Sequence, residues 1–179
     1  MTKRKHDRMR TILMLFALLG AGVACSSKAP STITYKESVK TALEQADLHD
    51  VSVSEDISKN TITLSGTLHS DEAKTRAGDI AQSNAGTRVI ANEISVEPVG
   101  NENQARKMES NLDDGIENNY KASLISKGLD KQHIKFNAKN GVLTLTGSVK
   151  NPTVRKEAEL LAQNTPNVNQ VVNQIEVRR

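Results

Sequence analysis

The 179-residue chain has no tryptophan, one cysteine, four prolines and only 2% aromatic residues. Each shortage excludes something. So few aromatics supply no stacking platform for nucleic acid and no walls for a large aromatic-lined ligand cavity. A single cysteine excludes an intrachain disulfide framework and a cysteine-rich metal site. His49, His69 and His133 stand at no paired spacing, so the histidines do not argue for a metal. The serines lack a nucleophile elbow. Asp71-Glu72 reads as support for a helix N-terminus, and Asp113-Asp114 as a solvated linker end. The residues point to a non-enzymatic protein that needs no cofactor.

Long apolar runs are also scarce. The one present is Thr11–Ala24, preceded by Lys3, Arg4, Lys5, Arg8 and Arg10. Its length suits the core of a signal peptide and is short for a membrane span. These first residues carry the basic excess of a chain whose formal net charge is +3. The remainder is close to neutral, which removes the electrostatic motive for nucleic acid binding. Cys25 follows the apolar run directly, and a polar stretch follows it. The arrangement resembles a bacterial lipoprotein signal, which implies an acylated Cys25 after removal of residues 1–24. Ser26 after the cysteine favours the periplasmic face of the outer membrane, by analogy with lipoprotein sorting. Gly22 stands where such signals usually carry leucine. The alternative is an ordinary secretory cleavage that leaves a soluble periplasmic protein.

Shifted by 81 residues, the chain aligns with itself without a gap, residues 35–96 on 116–177. Identical pairs include Leu43/Leu124, Leu64/Leu145, Gly66/Gly147, Ala77/Ala158, Asn92/Asn173 and Ile94/Ile175. A repeat of this length is a small domain, not a solenoid unit. Each unit reads as helix, strand, strand, helix, strand. Tyr35, Val39, Leu43 and Ala46 share one helical face, as do Ile116, Tyr120 and Leu124, which Leu112 would extend. Two strands follow in each unit, turning near Lys59-Asn60 and at Asn140-Gly141, the second a strong hairpin signal. Ser70 and Asn151 are good caps for a second helix. The last strands alternate Ile90, Asn92, Ile94, Val96 and Val171, Asn173, Ile175, Val177. The helix between the second and third strands is long enough for a crossover. The expected fold is α+β: two tandem αββαβ domains, each a three-stranded mixed sheet with two helices on one face.

Leu64-Ser65-Gly66, a helix, then Asn92-Glu93-Ile94-Ser95-Val96 resembles the BON domain. Leu145-Thr146-Gly147 and Asn173-Gln174-Ile175-Glu176-Val177 repeat it. This family takes its name from osmotically induced and nodulation proteins of bacteria. The expected organisation is a leader at 1–24, a tether at 25–34, domains at 35–97 and 116–179, and a linker at 98–115. The stretch Gln104–Asp114 would extend the second domain's first helix. With the leader and Cys25, the chain looks like the dual-domain outer-membrane lipoproteins, which are associated with anionic phospholipid and envelope integrity. The resemblance implies a lipid-anchored protein of stress tolerance. A periplasmic protein-interaction or chaperone-like module, with envelope proteins as partners, is the alternative.

The two repeats differ in charge. Residues 35–96 hold six Lys/Arg against ten Asp/Glu, and residues 116–177 hold eight against five. Glu44 in the first repeat is Ile125 in the second. Ile125 therefore falls at a position expected to face solvent, one turn beyond Lys121. These differences mark Lys121, Ile125 and Lys127 as lipid-contact candidates, with Lys131 and Lys135 beside them. Gly66 and Gly147 read as backbone positions that only glycine tolerates. Asn92 and Asn173 read as buried amides that satisfy neighbouring backbone.

Overall fold

The computed structural model describes residues 34–178; the leader, most of the tether and Cys25 lie outside the described residues. Among the described residues twelve elements follow in order. The first repeat has α1 (Lys36–Gln45), β1 (Val51–Asp56), β2 (Thr61–Leu68), α2 (Asp71–Asn84), β3 (Val89–Asn92) and β4 (Ser95–Val96). The second has α3 (Glu102–Ser126), β5 (His133–Lys139), β6 (Val142–Val149), α4 (Pro152–Gln163), β7 (Gln170–Asn173) and β8 (Glu176–Val177). In each sheet the first two strands are antiparallel and the rest run parallel to the second.

The third strand of each repeat is interrupted, giving β3 and β4, then β7 and β8. Both pieces keep one register against β2 or β6, and the gap lies across from Ser65-Gly66 or Thr146-Gly147. Gly66 has φ +124° and Gly147 φ +104°. A Cβ at Gly66 would sit 2.1 Å from the Asp50 carbonyl oxygen, and one at Gly147 would sit 1.9 Å from that of His133. Here the backbone bends where no side chain fits.

The helices of each repeat cover one face of its sheet. Val39, Leu43, Ala77 and Ala81 close over Val53, Ile62, Leu64 and Ile94. Ile116, Tyr120, Ala158 and Ala162 close over Leu143, Leu145 and Ile175. Fully buried alanines at i, i+4 in α2 and α4 let these helices lie close to the sheet. Ser70 accepts the Ala73 N–H at 3.2 Å and Asn151 that of Thr153 at 2.8 Å, with Pro152 in the first turn. Leu112 does not join the core; it is exposed.

The gapless alignment conceals a slip of two residues. Val53 pairs with Leu64, yet Phe136 pairs with Leu145, although Ile134 is the aligned counterpart of Val53. The turns account for this. Asn140 and Gly141 both have positive φ and close a two-residue hairpin, whereas Ile57–Asn60 makes a four-residue turn. A slip of two keeps every side chain on its own face, so both registers have a buried side.

The segment after the first repeat is helical and docked. Three carboxylates one turn apart on α3 accept backbone N–H groups. Glu109 takes Val96 at 2.9 Å, Asp113 takes Asn140 at 2.8 Å and Gly141 at 3.1 Å, and Glu117 takes Ala138 at 2.9 Å. Asp113 is thus a bound acceptor, not part of a solvated linker end, and α3 splints β4 of one repeat to the hairpin of the next. The repeats also meet directly. Ala91, Val142 and Val172 form a small buried cluster, in which Ala91 and Val172 are repeat counterparts. Gln174 donates to the Thr61 hydroxyl at 3.0 Å, and Lys139 pairs with Glu93 at 3.3 Å. The Gln170 amide donates to the Ile90 carbonyl and accepts the Asn92 N–H at 3.1 Å. Those are the bonds a further strand would make, so one side chain caps the β3 edge. The two cores draw on residues 35–175, and Ile33–Arg179 is one compact unit.

Candidate functional site

The second half of α3 presents a two-sided surface. Ile116, Tyr120 and Leu124 are buried at a spacing of four, and the Tyr120 ring meets Phe136 edge-on at 5.0 Å. Its hydroxyl donates to the Ala158 carbonyl at 3.2 Å, and burial raises its pKa above the usual phenol range. A helix pinned this firmly on one side holds the other side in a fixed orientation. Lys121 and Ile125 lie there, one turn apart, and Ile125 is 54% exposed. Lys127 is exposed at the helix C-cap, where a cation faces the negative end of the helix dipole.

The structure separates the five lipid-contact candidates. Lys121 and Ile125 share the exposed side of α3, and Lys127 is exposed at its C-terminal end. Lys131 is exposed in the connection to β5. Lys135 alternates with Ile134 and Phe136, which pack into the core under the helices. Its side chain therefore leaves the opposite face of the sheet, and one flat surface does not meet both Lys135 and α3. The strand period separates Lys135 from α3 by face, a distinction that charge alone does not make.

The remaining candidates are structural in placement. Gly66 and Gly147 mark the bends described above. The Asn92 amide donates to the Lys74 carbonyl at 2.9 Å, tying the third strand to α2. Asn173 donates to the Glu159 carboxylate at 3.0 Å and accepts the Ile175 N–H at 3.1 Å. Both asparagines are half-buried. Cys25 lies outside the described residues.

A polar cleft of about 560 Å³ runs between α2 and the second repeat, past Lys74, Asn92, Asn140 and Gln170. Its polar groups serve the joint: Lys74 donates to the Asn140 carbonyl at 3.1 Å, and Asn140 donates to the Glu93 carbonyl at 2.8 Å. Burial lowers the Lys74 pKa, against the opposing pull of Glu109, Asp71 and Asp113. Among the described residues no group of three His, Cys, Asp or Glu side chains is placed to hold a metal. No helix among them is long and apolar enough to cross a membrane.

Two αββαβ units joined by a helical splint make a tandem two-domain module. The chain belongs to the BON-domain family, whose model matches residues 34–98 and 112–179. The domain is of a non-catalytic, binding type and is known in envelope or periplasmic proteins. Solved structures similar to the chain include the C-terminal domain of CdsD, a structural protein of the type III secretion system of Chlamydia trachomatis. That match has 16% identity and a TM-score of 0.32, over 82% of this chain and 66% of that one. A second CdsD structure matches at 14% identity and a TM-score of 0.31, over 81% and 62%. The chain thus spans just under two thirds of the length of the solved chains it matches. No curated protein is significantly similar to it.

Proposed function

We propose that this is a lipid-anchored envelope protein whose second BON domain binds anionic phospholipid peripherally and supports the integrity of the outer membrane under stress. The supporting observation is an exposed Ile125 one turn after Lys121 on the outer side of α3, with Lys127 exposed at the helix's C-terminal end and the other side of the helix buried. Each cation near an anionic surface contributes on the order of 1 kcal/mol, and salt screens it. An anchor at Cys25 holds the domain at the bilayer, so weak contacts count. Without tryptophan, and with Tyr120 and Phe136 occupied in the core, the contact is shallow.

The test is binding of Ile33–Arg179, the compact unit, to phosphatidylglycerol-containing vesicles. Wild type is expected to bind at low salt and to lose affinity as salt rises. Changing Lys121 and Lys127 together to Glu is expected to abolish binding while leaving the melting temperature unchanged. Equal binding to purely phosphatidylcholine vesicles would remove the electrostatic mechanism and promote a protein partner. The anchor is tested separately. In cells, Cys25→Ala is expected to move the protein from the membrane fraction to the soluble periplasm with both domains folded. An unmodified N-terminus on the mature wild type, read by mass spectrometry, would refute acylation.

A further inference from the structure

The two helix layers differ in more than net charge. In the first repeat the exposed residues of α1 and α2 include five acids, Glu37, Glu44, Asp71, Glu72 and Asp79. In the second repeat no exposed residue is acidic from Asn118 to Lys127 or from Pro152 to Gln163, and Lys121, Lys127 and Lys156 are exposed. Glu157 and Glu159 of α4 are half-buried, and Glu159 holds the Asn173 amide. Two of the first repeat's acids have become apolar: Glu44 corresponds to Ile125 and Asp79 to Leu160. Leu160 falls midway between Ala158 and Ala162, both fully buried against the sheet, yet it is 48% exposed. It therefore lies on the side of α4 turned away from the sheet, as Ile125 does on α3. Both helices cover the same face of the same sheet, so the two apolar residues belong to one outer surface. Each stands one turn after an exposed lysine, Ile125 after Lys121 and Leu160 after Lys156, a pairing of apolar and cationic groups that matches an anionic bilayer.

We infer that the bilayer meets the whole outer face of this helix layer, with Leu160 of α4 as a second apolar anchor beside Ile125 and Lys156 as a third cation. The inference rests on the lipid-binding reading above and extends it from one helix to two. It sets an orientation: the last turns of α3, from Asn118, and the outer side of α4 meet the membrane, and the open face of the sheet, with Lys135, points away.

The absence of tryptophan allows a clean test. Leu160→Trp in Ile33–Arg179 introduces a single reporter at an exposed position, and Asp79→Trp places one at its counterpart in the first repeat. On phosphatidylglycerol-containing vesicles the Leu160→Trp emission is expected to shift to the blue, and the Asp79→Trp emission to stay put. The neutral change Leu160→Asn is expected to weaken binding about tenfold while keeping the slope of affinity against salt, because no charge is altered. If wild type binds, the Lys121 and Lys127 reversal abolishes binding, and yet Leu160→Trp shows no shift, the contact is α3 alone. The two-helix inference then falls while the lipid reading stands. If wild type does not bind these vesicles at low salt, both fall.

Discussion

Replacing Gly147 by alanine is expected to destabilise the second repeat severely. The usual effect of glycine to alanine at a compatible site is a stabilisation of about 0.4–1 kcal/mol, through the unfolded chain. Gly115 is such a site: it lies within α3, and an added Cβ would meet nothing within 4 Å. Gly147 reverses the sign. Its φ of +104° is one that L side chains rarely adopt, and the new Cβ would fall 1.9 Å from the His133 carbonyl oxygen. That oxygen is backbone at the start of β5, so no rotamer change relieves the contact. The strands must separate or the bend must straighten, and straightening displaces β8 from β6. The cost is about 3–5 kcal/mol, a large part of the stability of a small domain. Urea unfolding followed by circular dichroism should show a large fall in midpoint for Gly147→Ala and a small rise for Gly115→Ala. A midpoint for Gly147→Ala equal to wild type would show that the close approach at His133 is wrong. The same argument applies to Gly66→Ala, where the Cβ meets the Asp50 oxygen at 2.1 Å.

Much of this architecture was legible in the residues, because two copies of one pattern reinforce each other. The helix faces, the caps Ser70 and Asn151 and the strand alternation each recur 81 residues on, so chance matches are suppressed. Features that break the equivalence were hidden. The hairpin slip is invisible to a gapless alignment, because a shift of two leaves the alternation intact. Ala91 and Val172 occupy the open faces of their sheets, where a small or β-branched residue is ordinary. Only the contact between the repeats shows why they are buried. Glu109, Asp113 and Glu117 look like solvated charge along a linker. Their i, i+4, i+8 spacing shows that they share a helix face, but not that this face lies along strand ends with unpaired N–H groups.

The candidate surface was legible in part and for a physical reason. Exposure of Ile125 followed from its counterpart Glu44, since a charged residue at one repeat position marks solvent at the other. The same comparison of Asp79 with Leu160 carries equal weight and marks an exposed position on α4. Charge says which residues attract an anionic surface, whereas the sheet and helix geometry says which of them reach it together. Lys135 has the right charge and the wrong face.

The joint between tether and first domain is expected to be acid-labile, and Glu55 is the reason. Helix α1 begins at Lys36, so its first N–H groups lack intrahelical acceptors. Glu55 on β1 supplies one: its carboxylate accepts the N–H groups of Tyr35 at 3.0 Å and Lys36 at 3.1 Å, and the Thr34 hydroxyl. Arg88 donates to it at 2.8 Å and lies over the Tyr35 ring, 5.7 Å from its centroid. The Glu55 side chain is 3% exposed. In the second repeat the residue paired across from Leu143, as Glu55 is across from Ile62, is Ala138. There α3 starts at Glu102, well upstream of Ile116, so the corresponding N–H groups are bonded within the helix and no acceptor is needed. Burial by itself would raise the Glu55 pKa, but the bonds from Thr34, Arg88, Lys36 and Tyr35 outweigh it and hold the group at about 2, against 4.5 for an ordinary glutamate. The folded-state pKa is depressed, so the stabilisation is complete above the unfolded value. It is lost as pH falls from about 5 towards 2. Glu55→Gln keeps the shape and removes the charge, leaving the Arg88 guanidinium beside a weaker acceptor. The expected loss is about 2–3 kcal/mol at pH 7, with the gap to wild type closing as the pH approaches 2. Chemical denaturation of both proteins from pH 7 to pH 2 reads the gap directly, and a pH-independent difference would show that the Glu55 charge does not hold the start of α1.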